Sequence, residues 1–292
     1  MAVAGTKTNV GRNIFNTINA TLLSILAIAT LYPFLYVASS SFTSEKALMV
    51  GKIGIIPEDL SLLAYKIILN YPLIPGAYKN TILYTVLGVI VNLLLTTLGA
   101  YPLSRDRFKG KNLFMFIIAF TMLFHGGIIP TFIVVRNLHL INSIWAMVLP
   151  SAINTFNLIV MRTFFQQIPV DIEEAAAIDG CNDLQTLFKI ILPMSIPSIM
   201  TIGLFYAVQH WNSFFPALIY LNERKLFPLQ IILRDIVIQN RADDLMSSGE
   251  NVMARESIKY ATIMVATVPI LMVYPFIQKY FVKGVMIGAI KG

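Results

Sequence analysis

Two sets of residues in this 292-residue sequence have the types and spacing to do work. The first is a scatter of polar side chains inside long apolar runs: Asn92, Thr96, Thr97, Thr121, Asn154, Asn157, Gln209, His210 and Asn212. In such surroundings amides and hydroxyls either hydrogen-bond between packed helices or bind the hydroxyls of a polar solute, and the same residue types serve both ends. Trp211 beside Asn212 places an aromatic face next to an amide, a common way to hold a sugar. A tryptophan at a membrane–water interface has the same signature. The candidate solute-pathway residues are therefore Trp211, Asn212, Gln209, Asn154 and Asn157.

The second set lies between Phe165 and Pro197, a stretch too polar to cross a bilayer and patterned as two short helices. Pro169 suits a helix start, and Asp171, Glu173 and Glu174 fall near the positive end of the helix that follows. Ala175, Ala176 and Ala177 continue it with the best helix former. Asp179 and Gly180 interrupt the pattern, Gly180 offering the positive φ that ends a helix. Asn182 or Asp183 can cap a second helix running to about Ile191, with Pro193 and Pro197 stopping it. The expected helix-turn-helix is acidic, with only Lys189 against five carboxylates from Asp171 to Asp183. An anionic leaflet would repel it, so a groove on another protein is a better host than lipid.

Bond-making chemistry finds no support. His125, His139 and His210 are too far apart for a local metal motif and no Cys or carboxylate cluster joins them, so neither a metal site nor a catalytic residue is expected. No GxxxxGK[ST] phosphate loop is present, so energy from ATP must arrive from outside the chain. The single cysteine, Cys181, excludes an intramolecular disulfide.

Long apolar helices must position these residues. The chain is 57% hydrophobic and 13% charged, too little polar surface to coat a water-soluble globule of this size. A span needs about 20 mainly apolar residues. Six stretches qualify, at about 21–41, 81–103, 113–135, 143–164, 198–221 and 260–281. The first is too long for a signal-peptide core and reads as a retained span. Pro33, Pro130, Pro269 and Pro275 predict kinks. The fold class expected is all-α integral membrane, a single domain over 1–292 with six transmembrane helices and a helix-turn-helix over 165–197.

Charge sets the orientation. Arg105, Arg107, Lys109 and Lys111 against Asp106 make the connection between spans two and three the clearest positive-inside signal. Both termini, carrying Lys7, Arg12, Lys279, Lys283 and Lys291, then also fall in the cytoplasm, as does the 165–197 segment. Residues 42–80 and 222–259 fall outside. The net charge of +7 follows from this bias and need not mean nucleic acid.

The spacing Glu174-Ala175-Ala176, three residues, Gly180, nine residues, Ile190, one residue, Leu192-Pro193 resembles the EAA loop of ABC importer permeases. Arg162-Thr163-Phe164-Phe165, Ile168-Pro169, Trp211-Asn212 and the tail Ile290-Lys291-Gly292 are similar to the maltose-type carbohydrate importers, and the likeness extends over essentially the whole chain. It points to the second, G-type permease subunit, in the oligosaccharide subgroup that includes importers of uronate oligomers such as alginate fragments. The resemblance implies a bacterial cytoplasmic (inner) membrane location and a second homologous permease. It also implies two ATPase subunits that hold ATP and Mg and seat the loop, and an extracytoplasmic solute-binding protein. The residues so assigned to coupling are Glu173, Glu174, Ala175, Ala176, Asp179, Gly180, Ile190, Leu192 and Pro193. It further implies that the 222–259 segment meets the binding protein and that the tail touches the ATPase pair.

A stand-alone secondary transporter or channel is the alternative, but it would want ionisable residues within its spans, and His125 and His210 are nearly the only ones. A membrane enzyme would want a catalytic cluster at one face, and none is found.

Overall fold

The computed structural model describes residues 10–51, 54–57, 59–124, 126–238 and 255–289. The expectations placed on Lys7, His125, residues 239–254 and the Ile290–Gly292 tail lie outside these. The chain divides into two compact units, Met1–Asn70 with Asn240–Val265, and Tyr71–Gln239 with Ala266–Gly292.

In the first unit, α1 (Val10–Ser41) is an apolar helix whose flanks are exposed over most of their length, as a lipid-facing helix requires. Its end is polar and buried. Ser41 hydrogen-bonds the Tyr65 hydroxyl at 2.7 Å, and Phe42 stacks on the Tyr65 ring. Tyr65 lies in α3 (Leu63–Leu69). The short helix α2 (Glu45–Met49), capped by Ser44, presents a buried carboxylate. Glu45 accepts from the backbone N–H groups of Glu256 and Ser257, 3.0–3.1 Å away, at the start of α14 (Arg255–Ala289). A carboxylate on orphan N–H groups at a helix N-terminus is a favourable cap.

The second unit is built around α4 (Leu73–Ser104), a 32-residue helix about 48 Å long at 1.5 Å per residue. One stripe of it is buried: Ile74, Ala77, Thr81, Tyr84, Gly88, Asn92, Thr96, Ala100 and Leu103, at the three- and four-residue steps of one helix face. Leu83, Val86, Ile90 and Leu94 lie outside. Following α4 come α5 (Lys111–Leu123), α6 (Ile128–Asn137), α7 (Ile144–Val148), α8 (Thr155–Gln166) and α9 (Val170–Ile178). After these come α10 (Asp183–Met194), α11 (Ile196–Trp211), α12 (Phe214–Tyr220) and α13 (Leu229–Val237). The buried stripe of α4 packs chiefly on α11 and α8.

Except for the Asn92 amide oxygen, the polar side chains in that stripe are partnered, which is what lets them be buried among apolar helices. Thr96 bonds Tyr206 at 2.7 Å, Asn92 bonds His210 at 2.9 Å, and Thr81 accepts from the Leu229 N–H at 2.8 Å. Gly88 is where the His210 ring crosses α4, and a Cβ there would overlap the ring.

Among the described residues, three helices are long and apolar enough to cross a membrane, within α1, α4 and α14, or up to six if each of three bent pairs is one span. Two of these pairs cover the expected spans at 113–135 and 143–164, the third is α10 with α11, and the expected span at 198–221 is itself divided, so none of the three expected spans is one straight helix. The first is interrupted between Leu123 and Ile128, where Gly127 takes φ +85°, and the second bends by 58° between Ser151 and Thr155. In the third, α11 stops at Trp211 and α12 begins at Phe214. A polar or glycine-bearing break at each site explains the division: Gly126-Gly127, Asn154 as the cap of α8, and Asn212-Ser213.

Candidate functional site

The 165–197 segment folds as a helical hairpin, for local reasons. Pro169, extended at ψ 136°, precedes α9, whose first turn carries Asp171 and Glu173. The helix ends in a full Schellman arrangement. The Gly180 N–H bonds the Ala177 carbonyl and the Cys181 N–H bonds the Ala176 carbonyl, with Gly180 at φ +83°. Asn182 then opens α10 through a capping box, accepting from the Gln185 N–H at 2.9 Å while its own N–H reaches the Gln185 side chain at 3.0 Å.

α10 passes the expected stop at Ile191. Its residues Leu187–Ile191 form a π-helical stretch, and the helix continues through Pro193 to Met194. The break comes at Ser195, and α10 and α11 meet at 87°. Pro197 sits in the first turn of α11, where no N–H is missed.

The hairpin has two sides. Ala176, Leu187 and Ile191 are buried, the last two in a core with Met161, Phe165 and Ile168. Glu173 also turns inward, its carboxylate pairing with Arg105. Outward lie Glu174, Ala175, Asp179, Gly180 and Pro193, while Ile190 and Leu192 are half-buried. Three large apolar side chains share the open side: Ile178 at 87% exposure, Leu184 at 60% and Phe188 at 45%. Exposed apolar groups among carboxylates, on a short rigid element, make a surface suited to a protein groove.

The solute-pathway candidates separate. The Trp211 indole is buried and donates its N–H to the Ala266 carbonyl at 3.1 Å, in the same unit, so the face expected for a sugar is packed within the fold. Asn154 caps α8 by accepting from the Asn157 N–H, and Asn157 is buried. Gln209 and Asn212 are exposed, and Asn212 bonds the Val208 carbonyl at 2.9 Å and lies 3.4 Å from the Gln230 amide. Among the described residues no group of three or more His, Cys, Asp or Glu could hold a metal ion.

Comparison with known proteins decides the family. Residues 73–287 match the model of the binding-protein-dependent transport system inner membrane component family. The chain belongs to that family. It is 46% identical over 273 residues to the polygalacturonan/rhamnogalacturonan transport system permease protein YtcP of Bacillus subtilis (strain 168), covering 92% of this chain and 96% of that one. To Protein LplC of the same organism it is 43% identical over 290 residues, covering 98% and 97%. Among solved structures, a bacterial ABC transporter involved in the import of the acidic polysaccharide alginate matches with TM-score 0.84 and 37% identity, over 96% of this chain and all of that one. The protein is therefore an ABC permease, a multi-pass inner-membrane protein and not itself an enzyme.

Two features of this permease were only partly legible in the sequence. The hairpin's Leu, Ile and Phe positions read as able to enter a groove, but which of them face outward, Ile178, Leu184 and Phe188, follows only from the faces left after Ala176, Leu187 and Ile191 are buried. Arg105 and Arg107 were read only as orientation signals. The structure turns both onto the hairpin, Arg105 to Glu173 and Arg107 to Asp183 at 2.5 Å. The one cue was a match of charge between a basic and an acidic segment. Nearby, Lys111 bonds Asp106 and holds its carboxyl below the ordinary carboxylate range.

Proposed function

We propose that this permease forms half of the translocation pore of an ATP-driven importer of acidic oligosaccharides, and that its 165–197 hairpin seats in a groove of a cytoplasmic ATPase subunit. The observation that carries the reading is the open side of the hairpin, where Ile178, Leu184 and Phe188 stand among Glu174 and Asp179 while the opposite side is anchored in the fold. Glu173 and Ala176 set its orientation. Glu174, Ala175, Asp179, Gly180 and Pro193 are the contact positions, and Ile190 and Leu192 flank them.

In this reading both termini and the hairpin are cytoplasmic and the 222–259 segment is external. A second permease completes the pore, two ATPase subunits bind ATP and Mg, and a solute-binding protein delivers the sugar. A rigid hairpin that is continuous with α8 and α11 can pass a domain closure to membrane helices, which alternating access requires. Uronate chemistry is favoured because relatives covering nearly the full length are named for polygalacturonan and for alginate, both polyuronates. Exposed amides at Gln209 and Asn212 have the donors and acceptors such a solute needs.

The test is reconstitution of the assembled complex in vesicles, with uptake and ATP hydrolysis measured for oligogalacturonates, alginate oligomers and neutral maltodextrins. Uronate oligomers should stimulate hydrolysis and accumulate. Stimulation by maltodextrin alone would overturn the sugar assignment, and full transport without an ATPase subunit would overturn the importer reading.

A further inference from the structure

Arg105 lies at the C-cap of α4, with extended backbone (φ −104°, ψ 139°). Its side chain is only 6% exposed. Burying a guanidinium is costly without compensating partners; those of Arg105 come from three elements, while its Nε has no hydrogen-bond partner among the described residues. One terminal nitrogen donates to the Phe165 carbonyl at 2.9 Å, the other pairs with the Glu173 carboxylate, and the guanidinium lies 5.4 Å from the Tyr101 ring centroid. Phe165 is in the last turn of α8, where Pro169 has no N–H to close the next helical bond onto its carbonyl. Glu173 is in the first turn of α9. Arg105 therefore bridges both sides of the turn that sets the direction in which α9 leaves α8.

The connection is reciprocal. Arg162, on α8, donates to the Leu103 carbonyl at 2.8 Å, so the C-terminal ends of α4 and α8 each receive an arginine from the other's side. Cations are favoured at those negative helix ends. Arg107 reaches Asp183 at the start of α10, but that pair is well exposed and adds little. At its other end α4 binds the loop before α13: Asn80 and Tyr84 donate to the carbonyls of Lys225 and Leu226 at 2.8 Å each.

We infer that Arg105, acting through Glu173, is a positioning residue that ties the hairpin to α4, so that a displacement imposed on the hairpin by an ATPase subunit moves α4 as well as α8 and α11. The inference rests on the docking reading above. With the tie broken, hydrolysis continues and the hairpin moves, but α4 lags and transport per ATP falls.

The experiment uses the complete complex in vesicles with the variants Arg105→Gln, Arg105→Lys and Arg105→Gln/Glu173→Gln. Arg105→Gln alone strands a buried carboxylate and can impair assembly; the double variant removes both charges and keeps the test open. Transport per ATP should fall about tenfold in the double variant, within the usual span of coupling between sites. Basal hydrolysis and ATPase co-purification should remain, and Arg105→Lys should fall between. Spin labels at Asp171 and Leu98, in a Cys181→Ser background, give a readout independent of the sugar. Their separation should stay fixed between nucleotide-free and vanadate-trapped states in the parent and change in the double variant. Parent-like stoichiometry and an invariant separation in the double variant overturn the inference. Ile178→Asp tests the docking reading separately: it should lose the ATPase subunit, and full retention and coupling would overturn that reading whatever Arg105 does.

Discussion

Gly88 offers the sharpest steric test, because the structure says what a single methyl would meet. A Cβ built there has three atoms of the His210 ring within 2.6 Å, the nearest at 2.3 Å, where ordinary contact begins near 3.4 Å, so the ring must retreat by about 1.1 Å. It cannot retreat freely. His210 is 2% exposed and its Nε2 is engaged with Asn92 at 2.9 Å. Overpacking of this kind costs about 1–3 kcal/mol, and at roughly 2–4 °C per kcal/mol Gly88→Ala should lower the melting temperature of the detergent-solubilised complex by about 2–12 °C. His210→Ala alone should also destabilise, by leaving the Asn92 amide short of a partner. With the ring gone, however, the methyl has space, so Gly88→Ala/His210→Ala should be about 0.5–3 kcal/mol more stable than the two singles predict by addition. Thermal melting of the four proteins completes the cycle. Simple additivity, or a parent-like Gly88→Ala, would refute the packing of α11 on α4 at this point.

Gly180 has open space instead and is held by backbone alone, at φ +83°. Asn should be tolerated, Ala should cost about 1 kcal/mol and Val more, and sugar-stimulated hydrolysis should fall in that order; a Val variant equal to the parent would remove the need for the turn. Cys181, the only cysteine and part-exposed beside that turn, reports topology: an impermeant maleimide should label it in inverted vesicles and not in right-side-out ones, and added ATPase subunits should protect it. Labelling from outside would reverse the orientation. Trp211→Phe should lose the bond to Ala266 and about 1 kcal/mol of stability with little change in apparent sugar affinity, measured by melting and by uptake kinetics. A large affinity loss with unchanged melting would return the indole to the sugar pathway.

Local chemistry was the legible part of this molecule. The hairpin turn could be written down beforehand because Gly180 and Asn182 act through their own backbone and immediate neighbours, and the Schellman closure and capping box need nothing distant. Apolar length marked α1, α4 and α14 for the same reason. The breaks at 124–127, 152–154 and 212–213 were less legible, because a hydropathy window counts side chains and cannot see where a carbonyl is released to another helix. Pro193 is a case in point. It reads as a stop, yet the wider turn of the π-helical stretch before it lets the chain run on to Ser195, where the 87° bend occurs.

Roles set by long-range partners were not legible. Arg105 and Glu173 are far apart in sequence and each had a sufficient local explanation, one as a topology signal and the other as a carboxylate at a helix N-terminus. Only their mutual burial shows that the two are paired. A buried ion pair is a poor source of net stability, since desolvation offsets most of the attraction. What it does supply is register: Arg105 restricts the angle of α9, because the guanidinium that pairs with Glu173 also donates to the Phe165 carbonyl. An exposed pair such as Arg107 with Asp183 imposes no such constraint, because solvent can replace either partner as the helices shift. In the coupling inferred above, the hairpin's motion accordingly depends on Arg105, the one buried cation among the described residues.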